Sequence, residues 1–101
     1  MEFDAVLPPM HLKNVPAVAQ AAEEIGFDAL WTTETQHDGF LPHALIAEHT
    51  KKMKMGTAVA ISFARSPGDI AYTAWDLAAQ SEGRFILGLG TQVKGHITKR
   101  F

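Results

Sequence analysis

The run Ser81-Glu-Gly-Arg-Phe-Ile-Leu-Gly-Leu-Gly90 constrains the chain most, because a helix stop, a strand and a glycine-lined strand exit follow one another with no spare residue. Gly83 falls where the end of a helix takes a left-handed residue. Phe85 to Leu89 is too apolar for a strand with one face in water, so it requires cover on both faces, as parallel strands do. Gly88 and Gly90 then remove side chains at the C-terminal end of that strand. That is where α/β proteins bind ligands and where a ligand can come close to the backbone.

The preceding residues read as units that lead to this exit. Phe3 to Leu7 is a strand closed by Pro8 and Pro9. Asn14 is placed to cap a helix that carries Pro16 in its first turn and Val15, Val18, Ala19, Ala22 and Ile25 along one face, and Gly26 ends it. Phe27 to Thr33 follows as a second strand and Glu34 to Leu41 as a polar, glycine-broken loop. A second helix runs from Pro42 to about Lys51, and Met53 to Ala60 makes a third strand. After the loop Ile61 to Arg65, Ser66-Pro-Gly-Asp69 starts a third helix in the manner of a capping box, with Ile70, Thr73, Ala74, Leu77 and Ala78 on one face. The order is βαβαβαβ with no hairpin signal, which argues a parallel α/β sheet. It fits a doubly wound fold or the N-terminal half of a (β/α)8 TIM-type barrel, whose complete form takes about 250 residues.

Composition narrows what such a domain can do. The 101 residues make at most one domain, 47% hydrophobic and 20% charged, with a formal net charge of -2. This gives no electrostatic footprint for nucleic acid or an anionic membrane. With no cysteine, disulfides, thiolate catalysis and cysteine-ligated metals are excluded. No apolar run approaches the roughly 20 residues of a membrane span, and the acidic N-terminus does not read as an export signal, so a cytoplasmic protein is expected.

Four segments carry a family resemblance: Leu30-Trp-Thr-Thr-Glu34, Met55-Gly-Thr-Ala-Val59, Arg65-Ser-Pro67 and Ser81 to Thr91. In order and spacing the chain resembles the bacterial luciferase-like monooxygenase superfamily from Phe3 to Phe101. Glu34-Thr-Gln-His-Asp38 and Gly90-Thr-Gln-Val-Lys-Gly-His96 look like the branch that uses the deazaflavin coenzyme F-420. The resemblance implies the N-terminal half of a (β/α)8 barrel, with the flavin or deazaflavin ring at the C-terminal mouth beside the loops after strands two, three and four. It also implies an oxidoreductase that passes a hydride to, or oxygenates, a small organic substrate, with FMN as the alternative cofactor. Carried over by position, Glu34 matches the acid that ends strand two, where most members follow with histidine; here Thr35 and Gln36 follow and His37 stands in. Ala58 and Val59 match a pair joined in several members by a non-proline cis peptide under the ring. Gly90, Thr91 and Gln92 match the strand-four exit, with Gln92 in place of a common glycine; Lys94, His96 and Arg100 follow as candidates for the coenzyme's anionic tail.

Other features take plainer readings. His43 and His49 are six apart and share no helix face, so they do not read as a metal pair, and no metal is expected. Val93 occupies the third glycine position of G-x-G-x-x-G, which argues against a dinucleotide site. Trp31 and Trp75 read as core residues and Arg84 as a residue of the barrel foot. A four-strand half-barrel exposes two strand edges and apolar surface, so a homo-oligomer formed through those edges is expected, either catalytic or as a truncated, inactive half-barrel.

Overall fold

The computed structural model describes residues 3–34, 38–61 and 66–90. In chain order it contains β1 (Asp4–Val6), α1 (Val15–Ile25), β2 (Ala29–Thr32), α2 (Leu41–His49), β3 (Lys54–Thr57), β4 (Ala60–Ile61), α3 (Pro67–Gln80), β5 (Phe85–Ile86) and β6 (Leu89–Gly90). β1, β2, β3 and β5 form one parallel sheet in that spatial order, and β4 pairs with β6 beyond it, also parallel. Neighbours in the chain are thus neighbours in space. A doubly wound sheet needs a point where strand order reverses, whereas a barrel adds each strand beside the last. The order selects the N-terminal part of a (β/α)8 barrel.

The third and fourth barrel strands are each broken in two, where the sequence predicts continuous runs. The Thr57 side chain spans the break. Its hydroxyl donates to the Gly88 carbonyl (2.7 Å) and accepts the Gly88 N–H (2.9 Å). The ladder is interrupted there and resumes when the Ala60 N–H reaches the same Gly88 carbonyl at 2.9 Å.

Pleating assigns the two faces of the sheet. Ala5, Leu30, Met55 and Phe85 are in register across it. Leu30, Met55 and Phe85 are buried in one core with Val15, Ala19 and Ala22 of α1, Ile46 and Ala47 of α2, and Ile70 and Leu77 of α3. The alternate row is Val6, Trp31, Gly56 and Ile86, of which Val6 is 62% and Ile86 41% exposed. Among the described residues, the cover that the apolar strands require is therefore present on one face only.

Several local expectations change. Asn14 makes no side-chain cap, because Leu12–Asn14 already winds as a 3-10 turn that α1 continues. Ile25 is exposed at the end of α1 rather than on its buried face. α2 stops at His49 rather than near Lys51, since Thr50 is extended and its hydroxyl donates to the Ile46 carbonyl at 2.6 Å. Trp75 is not core: it is 77% exposed on α3. Trp31 is half-buried over Gly56, and its indole N–H donates to Asp4 Oδ2 at 3.1 Å. As expected, Ser66 Oγ accepts the Asp69 N–H at 3.0 Å at the start of α3, and Gly83 has φ +84° just past its end.

At the foot, the turn from α2 into β3 is held by two charges. Arg84 gives NH1 to Thr50 Oγ1 (2.8 Å) and the Met53 carbonyl (2.9 Å), and NH2 to the carbonyls of Ala47 and Thr50 (both 3.1 Å). A cation here suits the negative end of α2. The Glu23 carboxylate accepts the N–H groups of Lys51 (2.9 Å), Lys52 (2.8 Å) and Met53 (2.9 Å). Burial on its own raises the Glu23 carboxyl, but these three donors and the Arg84 charge outweigh it and hold the group below its ordinary value. Replacing Arg84 with methionine strips its partners at once, and urea denaturation is expected to show a loss of about 2–4 kcal/mol. A loss within the error of the wild-type value would mean that solvent replaces the guanidinium.

Candidate functional site

β2 delivers Thr32, Thr33 and Glu34 to the C-terminal edge of the sheet, and side chains there bond the backbone of residues 39–41. Glu34 Oε2 accepts the Gly39 N–H at 3.0 Å, while the Thr32 hydroxyl donates to the Gly39 carbonyl at 2.7 Å. Asp38 Oδ2 accepts the N–H groups of Phe40 (2.8 Å) and Leu41 (2.7 Å), which places an anion at the N-terminus of α2. Of the expected polar pair, Glu34 therefore stands at the strand exit in contact with its loop, and His37 lies outside the described residues.

Beneath this loop, His43 of α2 is wholly buried, with its ring edge against Phe85 at a centroid distance of 5.1 Å. Nε2 lies 2.8 Å from Thr32 Oγ1. Since that hydroxyl gives its one proton to Gly39, Nε2 must be the donor and the ring carries its proton there. Nδ1 is buried with no hydrogen-bond partner. Burial pushes the imidazole down from 6.5 to about 4; the Gly56 carbonyl and the Asp38 charge pull the other way without cancelling it. His43 is neutral at pH 7.

The second part of the mouth is the joint between β3 and β4. The Ala58 N–H donates to the Thr32 carbonyl at 2.7 Å, and the Ala58–Val59 peptide is cis. Ala58 is exposed and Val59 is 40% exposed. The Val59 methyls fill the space that a Cβ on Gly90 would take, and the Thr57 carbonyl fills that of Gly88. On this side the two glycines let neighbouring strands close on each other rather than opening a gap. Val59 and Gly90 are thus brought together, while Thr91 and Gln92, with Lys94, His96 and Arg100, lie outside the described residues.

A small hollow separates the exits of β1 and β2, lined by Leu7, Pro9, Met10, Thr33, Asp38 and Pro42. The mouth thus combines an apolar ledge at Ala58, Val59 and Gly90, without an ionisable side chain, and a polar rim bearing Glu34 and Asp38. A flat apolar ring fits the first, and a polar substrate group the second. Among the described residues no group of three or more His, Asp or Glu side chains could hold a metal ion, and no helix is long and apolar enough to cross a membrane.

Sequence reasoning did not single out Thr32, Thr57 or His43 as structural keystones of this mouth. The signal for His43 was present: Phe40, His43, Ile46 and Ala47 share one helical face, and all four are buried. The two threonines carry no such signal, because only the fold shows which backbone groups they reach.

The family model described as luciferase-like monooxygenase matches residues 2–101. An uncharacterized protein of Mycobacterium tuberculosis is 50% identical over 93 residues, covering 92% of this chain and 27% of its own length. The coenzyme F-420-dependent glucose-6-phosphate dehydrogenase of Amycolatopsis mediterranei is 36% identical over 90 residues, covering 78% of this chain and 27% of its own length. Among solved structures, the coenzyme F-420-dependent tetrahydromethanopterin reductase of Methanopyrus kandleri superimposes with a TM-score of 0.85 at 26% identity, over 97% of this chain and 29% of that one. The FMN complex of the oxygenating constituent of 3,6-diketocamphane monooxygenase from Pseudomonas putida shares the fold, with a TM-score of 0.83 at 20% identity, over 98% of this chain and 32% of that one. The chain spans between about a quarter and a third of the length of these relatives.

The buried imidazole makes stability pH-dependent. The unfolded ring takes up a proton near pH 6.5 and the folded one only near pH 4. His43 therefore contributes fully above pH 6.5, and its contribution falls away as the pH drops to about 4, by roughly 3 kcal/mol over that window. Urea midpoints between pH 7 and 4 should show this slope, and His43→Phe should remove most of it. A variant with the wild-type slope would trace the loss to other groups.

Proposed function

This chain belongs to the luciferase-like monooxygenase family, and from that premise we propose that it supplies the N-terminal part of the cofactor site of a cytoplasmic oxidoreductase that uses coenzyme F-420, with FMN as the alternative. The observation that carries the reading is the ledge. Ala58 and Val59 are presented to solvent at the C-terminal end of β3, with Gly90 packed against Val59. An apolar, uncharged surface at that position fits the flat face of a deazaflavin ring, and it lies where open parallel sheets and barrels hold ligands. The names of the 36%-identical relative and of the structure at 26% identity favour coenzyme F-420.

In this reading the bound coenzyme supplies hydride transfer, and the chain supplies position. Ala58 and Val59 support the ring, and Gly90, Thr91 and Gln92 offer backbone contacts beside it. Glu34, with His37, orients a small organic substrate or moves a proton at the rim. The Gly39 N–H on Glu34 Oε2 holds the carboxyl group at the rim, where it can meet a substrate.

A second reading takes the chain as an inactive half-barrel that associates through its edges. It is favoured by the row Val6, Trp31, Gly56 and Ile86, which no described element covers, and by the position of β1 and β5 at the two sheet edges. Exposed parallel edges beside apolar surface invite a second copy.

Equilibrium titration of the chain with coenzyme F-420 and, in parallel, FMN tests the first reading. Saturable deazaflavin binding is expected, weakened at least about tenfold by Val59→Asp, which puts a charge on the ledge. Absence of binding by both cofactors would refute the reading for this chain. For the second reading, light scattering is expected to give a dimer or larger species, and a monodisperse monomer would count against it.

A further inference from the structure

We propose that His43 is a positioning residue that sets, through Thr32, the Gly39 backbone on which the Glu34 carboxylate is held. The argument starts from what the ring forgoes. His43 sits in a fully buried position against the Phe85 ring, where a phenyl group would fill similar space without leaving a nitrogen unpaired. Nδ1 makes no hydrogen bond, so what the imidazole adds over a hydrocarbon is the 2.8 Å bond from Nε2 to Thr32 Oγ1, beside the pull of the Gly56 carbonyl on the ring.

That bond fixes a direction. The Thr32 hydroxyl can accept from His43 and donate once, and its proton goes to the Gly39 carbonyl at 2.7 Å. With His43 in place as donor, the hydroxyl cannot turn its own proton away from the Gly39 carbonyl without leaving a buried group unpaired. Gly39 is then held at its carbonyl from beneath and at its N–H by Glu34 Oε2 at 3.0 Å. Three hydrogen bonds run in series from the helix core to the carboxylate, and the first donor is a neutral ring.

The relay is a property of the chain by itself; its relevance to a reaction rests on the reading of Glu34 as a carboxylate of the cofactor mouth. The test uses the whole chain and the backbone-amide exchange of Gly39, compared with Leu30 in the middle of β2. His43→Phe keeps the ring shape and deletes the donor, while His43→Gln offers an amide N–H in its place. Thr32→Val deletes the hydroxyl, and Thr32→Ser keeps it. Exchange at Gly39 relative to Leu30 is expected to rise about tenfold, the equivalent of one lost hydrogen bond, in His43→Phe and Thr32→Val, and to return toward wild type in the other two. Nitrogen-15 shifts should show the proton of His43 on Nε2.

A proton found on Nδ1, or a rise at Gly39 that merely matches Leu30 in both deletion variants, would overturn the proposal and leave His43 as filling. If His43→Phe does not fold, His43→Leu, which also lacks the donor, is read in its place against His43→Gln. The two failures separate cleanly. A selective Gly39 response in a chain that binds neither cofactor supports the relay and refutes the cofactor reading; cofactor binding without that response does the reverse.

Discussion

The grip of Glu23 and Arg84 on residues 50–53 is the interaction on which the rest of the sheet depends. Antiparallel strands take their register from the hairpins that join them, but parallel strands have no such guide and are placed by the anchors of their crossovers. β3 lies between β2 and β5, so an error in its start would pass to both neighbours. The anion comes from α1, before β2, and the cation from the residue before β5, so the elements around β3 each hold the turn that delivers it. The same level of the foot ties in β1, because Asp28 Oδ2 accepts the Phe3 N–H at 2.7 Å and the Asp28 carbonyl accepts the Lys54 N–H at 3.0 Å.

At the opposite end the sheet is finished by two threonines in register, Thr32 and Thr57. Each is buried, and each uses its hydroxyl on the backbone of a glycine beyond a strand end, Gly39 in one case and Gly88 in the other. The polar work of closing the mouth is thus done by buried side chains, along with the neutral ring of His43. Ala58, Val59 and Gly90 themselves bring no ionisable side chain to the upper surface. A site that must receive a flat ring gains from this division, since a charged group on the ledge would have to be desolvated on binding.

The sequence made the architecture legible where its signals were local. Alternation of strand and helix, the stop before Arg84 and the Ser66 cap follow from spacing and from single residues with strong backbone preferences. What was misread depended on partners distant in the chain. The breaks in the third and fourth strands are spanned by Thr57 reaching Gly88, 31 residues on. Asn14 looked like a cap because nothing local showed the 3-10 turn ahead of it. Residue type predicts a core position for Trp75, but its helix buries Ile70 and Leu77 on another face. At the site, the motif around Glu34 located the loop, but its hydrogen bonds to Gly39, and the ring beneath it, required coordinates.

The uncovered face carries a further consequence for the mouth. Its central row holds Val6, Trp31, Gly56 and Ile86, so the largest side chain in the row lies beside the smallest. A Cβ on Gly56 would strike the Trp31 ring, which shows that the indole leans across the neighbouring strand instead of standing away from the sheet. Its N–H is satisfied by Asp4 from the strand on the other side. The row is therefore partly filled by its own members, and what is left open lies at its two ends, at Val6 and Ile86, which are also the sheet edges. Whatever completes this face, further strands of a barrel or a second copy, meets a surface whose centre is already packed and whose unmet demand for hydrogen bonds and apolar cover lies together along β1 and β5.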